Sequence, residues 1–373
     1  MTKGKDDDEE NRKDVEDEIE TEGKERRTEI LSYATGIYPR SSSLIAATRR
    51  LSNNDPRLRE LFLRGKRSWI NIQRRARLNY ISDPMIDWDD IFRPFSKVRG
   101  IELGALNRFF ETNTFYRRLK VKDALDGYGS IVYDHLALDI IDTSDKIKEN
   151  GKRSKRKGKN SNINIVYGKV ACMSDPYTFA YMNENTYYKS YEDYLSAIAD
   201  MLNAEAKTLA EKGVDIIQLN SPALAYNVNN GIDVDLNMVK NAIEKVKRGV
   251  RSKVYLYLYF GNVSSIFNKL IDINVDGIGF DVTSTRLASI LGYDTKGKDV
   301  VVGILDTMNT RLEDVKSTAA ALDFVIDRME AEHIILTMSN SLEFLPYRFA
   351  LKKLSLLGNI TRLVKAKQSG III

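Results

Sequence analysis

Residues 211–224 read Glu-Lys-Gly-Val-Asp-Ile-Ile-Gln-Leu-Asn-Ser-Pro-Ala-Leu. The first three close a helical pattern that runs from Tyr191 to Lys212, and Gly213 is the residue type that ends a helix without a Cβ penalty. Asp215 to Leu219 is a β-branched run too short for a helix, and Asn220-Ser221-Pro222 breaks it. A second helical pattern, Leu236 to Arg248, leads into the strand pattern Val254 to Tyr259. Strands alternating with helices at this spacing predict a parallel sheet.

Working outward, the same unit recurs. Strand patterns stand at Ser32–Thr35, Leu78–Ile81, Ile163–Ala171, Gly277–Phe280, Val300–Leu305 and His333–Leu336, which brings the total to eight. Helical patterns run over Val263–Ile271, Arg311–Ala331 and Pro346–Leu357. Eight such units predict an α/β fold, a (β/α)₈ TIM barrel over residues 29–373. Residues 98–160 break the rhythm with only short strand patterns. They read as a β-hairpin arm inserted between the second and third strands.

The chain has 373 residues, 43% of them hydrophobic and 29% charged, which suits one barrel with an insertion. No apolar run approaches the roughly 20 residues of a membrane-spanning helix, so no membrane partner is expected. The first residues are acidic and polar, unlike a secretory signal. The single cysteine, Cys172, excludes an internal disulfide framework and predicts a reducing, cytoplasmic setting. Two histidines, His135 and His333, leave little for metal chemistry of the His/Cys type.

Charge is segregated. Residues 1–28 hold twelve acids against seven bases, with only Val15 and Ile19 strongly apolar, and are expected to be a disordered acidic tail. It reads as an interaction arm or as a solvating tail. Lys152-Arg153-Ser154-Lys155-Arg156-Lys157-Gly158-Lys159 places six bases in a glycine-flanked loop, 151–160. That loop suits the phosphates of a nucleic acid or another acidic partner, and equally a solvated hairpin tip. No aromatic residue within it offers a base a stacking platform.

In such barrels the chemistry sits just after the strands. The segments found there and on the arm are Gly36-Ile37-Tyr38-Pro39-Arg40, Trp88-Asp89-Asp90, Arg108 to Arg118, Asp175 to Ala180, Ile216 to Leu224, Tyr257 to Asn262, Asp281, Gly303 to Asp314 and Ser339 to Pro346. In this order they resemble the cobalamin-independent methionine synthase family, including its short archaeal single-barrel members. The resemblance covers almost all of the chain after residue 30.

The resemblance implies methyl transfer to the thiol of homocysteine, from a folate or a corrinoid-bound methyl. A zinc ion held by a His-x-Cys pair, a Glu and a Cys activates the thiol, since the thiolate is the nucleophile. At those positions this chain has Tyr257, Tyr259, Asp281 and Asn340, so three of four ligand types are replaced. No cofactor is therefore expected. The substrate-facing elements of the family fall on Gly36-Ile37, on Asn220-Ser221 and on Met308. The candidate mouth pocket consists of Tyr38, Arg40, Trp88, Asn113, Tyr116, Asn220, Tyr257, Tyr259, Asp281, Asp306 and Asn340. Tyr259-Phe260-Gly261 and Thr112 to Tyr116 resemble the family's non-catalytic N-terminal barrel as much as its catalytic one. That points to an auxiliary barrel beside a separate catalytic chain. A methyltransferase acting alone with altered chemistry and a pseudoenzyme recruited to binding are the other readings. Bland readings stand beside these: a tyrosine stripe is ordinary barrel packing, and the arginine-rich arm either binds an anionic donor tail or covers the mouth.

Overall fold

The structure is a computed structural model, and it describes residues 28–137, 140–141 and 167–370. The acidic tail up to residue 27 and the basic loop 151–160 lie outside the described residues. The strands are β1 (Glu29–Ser32), β2 (Tyr80–Ser82), β3 (Arg99–Arg108), β4 (Phe115–Asp126), β5 (Gly168–Ser174), β6 (Glu184–Asn185), β7 (Ile216–Asn220), β8 (Lys253–Leu258), β9 (Gly277–Asp281), β10 (Asp299–Leu305) and β11 (His333–Met338). The helices are α1 (Ser42–Arg50), α2 (Pro56–Ala76), α3 (Pro176–Met182), α4 (Tyr191–Glu211), α5 (Pro222–Asn229), α6 (Leu236–Lys247), α7 (Phe267–Ile271), α8 (Val315–Ile326) and α9 (Tyr347–Gln368).

Eight strands form one parallel sheet in the order β1-β11-β10-β9-β8-β7-β5-β2. Asn79 N–H donates to the Ser32 carbonyl at 3.0 Å, which draws the two ends of the sheet together beside β1 and β2. The fold is the expected α/β barrel. Helix starts follow from local chemistry: Asp55, Asp175 and Asp235 each accept backbone N–H bonds in the first turn, and proline occupies that turn in α2, α3 and α5.

Large rings fill the barrel interior. Tyr33, Tyr255 and Tyr257 are buried, and the neighbouring strands make room for two of them with glycine. A Cβ on Gly277 would strike the Tyr255 ring, one on Gly279 the Tyr257 ring, and one on Gly303 the Tyr257 hydroxyl. Phe280 and Ile304 carry the hydrophobic burial between these glycines.

Element bounds depart from the sequence expectations in several places; the third strand, expected over Ile163–Ala171, is Gly168–Ser174, and the helix expected over Val263–Ile271 begins at Phe267. The arm strands are long, 10 and 12 residues, because β3 and β4 pair antiparallel as a mostly exposed ribbon whose apolar alternation is confined to short stretches such as Leu119-Lys120-Val121. The first strand lies at Glu29–Ser32, where β11 offers its ladder partners, and Tyr33–Thr35 continues inward beyond it. The helix after β10 begins only at Val315, capped by Asp314, and ends at Ile326. Helix α9 runs eleven residues past Leu357 to Gln368, because Gly358 meets the Ala76 carbonyl of α2 where a Cβ would collide.

Candidate functional site

The arm positions the site. Its tip, Phe109 to Thr114, lies at the barrel mouth, and β6 joins β4 farther along, at Lys120 and Val121. Phe110 packs on Phe260 at 5.4 Å and on Tyr226 of α5 at 5.1 Å, while Phe109 reaches Phe260 at 6.1 Å. Phe260 also contacts Tyr259 at 4.8 Å and Phe344 at 5.9 Å. Phe110 and Phe260 have φ of 49° and 71°, left-handed backbone that a bulky residue keeps only where its surroundings enforce it. Asp90 anchors the arm, accepting from the Arg117 N–H at 3.0 Å and pairing with Arg93 at 3.0 Å.

Beneath this aromatic cover the strand ends are polar and internally bonded. The Tyr257 hydroxyl donates to the carbonyls of Met338 at 2.6 Å and Ser339 at 3.0 Å. Burial, with Asp281 nearby, holds that phenol firmly protonated. Asp281 accepts from the Thr283 N–H at 2.7 Å, the Thr283 hydroxyl at 2.6 Å and the Ser284 hydroxyl at 2.9 Å. Burial pushes its carboxyl up to about 6 against these bonds. Asn340 accepts from the Thr307 hydroxyl, and its buried Nδ2 has no partner among the described residues. Tyr259 is buried, its phenol raised by burial and by Glu343.

The other candidates scatter around this centre. Asn220 accepts from Gln218 at 2.7 Å. Tyr38 bonds Ser82 at 3.0 Å, inside the wall. Gly36 packs against Ser341 where a Cβ would collide, so the Gly36-Ile37 turn is closed on the eighth-strand loop. Arg40 donates to the carbonyls of Ile86 at 2.6 Å and Trp88 at 3.0 Å, and pairs with Asp89. Trp88 is buried edge-on to His135, 5.9 Å away. Asp306 accepts from the Met308 N–H at 2.7 Å, and its own loop is held by Lys353, which donates to the Asp306 carbonyl and pairs with Glu313 at 2.7 Å. Asn113 is exposed at the arm tip.

A cleft of about 290 Å³ opens between the arm, α3 and α5, bounded by Asn107, Arg108, Arg118, Tyr116, Tyr181 and Tyr226. Tyr116 alone of the eleven candidates lines it. The buried Arg118 Nε there has no partner among the described residues.

Two acids escaped the sequence reading. Glu343 lies in the quoted Ser339–Pro346 segment, and burial, with Asp90 beside it, pushes its carboxyl up to about 8 against the pull of Arg40. Asp175 is pushed up to about 6 by burial although it caps α3. At the opposite end of the barrel, Asp299, Glu332 and His333 are the one group of metal-ligating types among the described residues. Asp299 is already engaged there, by Lys253 at 2.6 Å, the Tyr255 hydroxyl at 2.6 Å and His333 at 2.7 Å.

Fold and site together define a TIM barrel with a hairpin arm over its mouth, where buried tyrosines and amides stand beside the carboxyls of Asp281 and Glu343. The family described as cobalamin-independent synthase, N-terminal domain, matches residues 137–330, and the chain belongs to this family. Proteins named methionine synthase from Sulfurisphaera tokodaii and Pyrococcus abyssi are 28% and 27% identical over 193 and 194 residues. Each match covers 52% of this chain and 56% of the relative, so it spans about half of the relatives' length. A B12-independent methionine synthase from Shewanella sp. W3-18-1, solved with selenomethionine, superposes with a TM-score of 0.68 over 92% of this chain and 99% of that one. A methyltransferase from Methanosarcina mazei gives 0.53 over 93% and 95%. At 15% and 14% identity these two show the fold alone.

Proposed function

We propose that this chain is a non-catalytic, auxiliary barrel of methyl transfer to homocysteine, acting beside a separate zinc-bearing chain. The observation that carries it is the Tyr257 hydroxyl, which spends its proton on the Met338 and Ser339 carbonyls. Among the four positions implied to hold zinc, that phenol is a donor, Asp281 already accepts three bonds from neutral donors, and Asn340 accepts from Thr307. Phenol and amide are poor zinc ligands beside imidazole and thiolate, so this set does not fit the metal. What the chain retains is the arm cleft, whose Arg108, Arg118 and tyrosines suit the anionic end of a methyl donor or the surface of a catalytic partner.

Zinc content by elemental analysis, on protein from zinc-supplemented cells, tests this reading together with a methyl-transfer assay. The expected result is no metal at the mouth, no transfer by the chain alone, and a faster reaction when it is added to a zinc-bearing family member. Stoichiometric zinc with self-sufficient transfer would overturn it. Repeating the measurement on His333→Ala identifies any metal held at the far end of the barrel.

A further inference from the structure

Helices α2 and α9 pack side by side, Trp69 on Tyr347 at 4.8 Å and Gly358 on Ala76. Together they carry thirteen Lys and Arg and a single acid, Glu60. Lys66 and Lys353 are buried with carboxylates, and Arg57, Arg64 and Lys367 pair with Asp55, Glu60 and Asp323. Arg59, Arg67, Arg75, Arg348 and Lys352 are exposed without an acidic partner among the described residues. A groove of about 260 Å³ runs between the helices, lined by Ile72 and Arg75 of α2 and by Leu351 and Arg362 of α9.

The chain enters the fold beside the same face. Gln368, the last residue of α9, donates to the Thr28 carbonyl at 3.2 Å, and the Thr28 hydroxyl donates to the Ala331 carbonyl at 3.0 Å. Immediately before Thr28 stand the twelve acids from Asp6 to Glu25. We propose that this acidic segment is the occupant of the α2–α9 face, covering it against other polyanions. The lengths agree. The 22 residues of α9 span about 33 Å, and fourteen extended residues, back to Asp14, reach about 46 Å. Tethering raises the local concentration of the segment to the order of millimolar, so weak charge pairing suffices. Added salt weakens it, because the screening length is about 8 Å at physiological ionic strength.

Carbodiimide coupling of the full chain tests the contact, since it joins a carboxylate to an amine only where they touch. Cross-links from the Asp14–Glu25 peptides to Lys352, Lys365 and Lys367 are expected at low salt, falling several-fold in 0.5 M NaCl and in Arg75→Glu/Arg362→Glu. Cross-links to Lys152–Lys159, or to a second copy in an isotope-mixed sample, would overturn the proposal. A second variant, with Glu16, Glu18, Glu20 and Glu22 changed to Gln and Asp17 to Asn, uncovers the face. It should elute from heparin at higher salt than the wild type, and the Arg75→Glu/Arg362→Glu pair should cancel that gain. No gain, or binding of single-stranded DNA by the wild type as tight as by the neutralised variant, means the face is already free and sinks the idea.

Discussion

The two ends of the barrel bury their carboxylates in opposite ways. At the bottom, Asp299 is a charge hub that meets the Lys253 ammonium, the His333 ring and the Tyr255 phenol. At the mouth, Asp281 meets only an amide and two hydroxyls, and burial lifts its carboxyl to about 6. The group of Asp299, Glu332 and His333 thus stands at the end where barrels keep stability. At the mouth end the buried Asp281 is met by neutral donors instead.

The largest expected effect lies at the bottom. Asp299→Asn leaves a lysine and a histidine without their shared carboxylate and should cost about 3 kcal/mol in urea unfolding. A loss below about 1 kcal/mol would mean that the two ends do not differ. Next, Tyr257→Phe strands two carbonyls in the interior and should cost about 1–2 kcal/mol by the same measurement. Asp281→Asn keeps an acceptor for its neutral donors and should change stability by less than about 1 kcal/mol at pH 7, where a charge hub would have lost several times more.

The smallest effect is in pH. Asp281 and Glu343 hold protons in the folded chain that the unfolded chain has already released, from their ordinary values of 3.8 and 4.5 up to about 6 and about 8. Folding therefore takes up protons in those windows, and stability falls as pH rises through them. Because the Glu343 side chain is partly open to water, its share between pH 5 and 8 should be about 1 kcal/mol. Glu343→Gln should flatten that slope in thermal unfolding followed across pH, and an unchanged slope would remove Glu343 from the account.

Much of the barrel was legible because each strand carries its own punctuation, as Gly213 before β7 and Asp175-Pro176 after β5 illustrate. The tyrosine stripe was legible as well, since a period of two places Tyr255, Tyr257 and Tyr259 on one face. The arm was legible as an inserted hairpin, but the length of its strands was not, because most residues of β3 are exposed or half-exposed and leave only a short apolar signal. Glu343 escaped for another reason. Its environment is set by Asp90 and Arg40, some 250 and 300 positions away, and no local pattern records such a meeting. That the arm covers the mouth is one of two readings of the sequence, but the rings that Phe109 and Phe110 meet, Phe260 and Tyr226, are a tertiary fact.

The glycines that face the tyrosine rings carry a consequence for how this interior can change. A lone Tyr257→His exchange would leave an empty space over Gly279 and Gly303 that neither can fill. A lone Gly279→Ala would find the ring still in its way. The positions behave like the wheels of a combination lock, turning together or not at all. Tyr257 can therefore be exchanged for a smaller ligating side chain without loss of packing only if the facing glycines change with it.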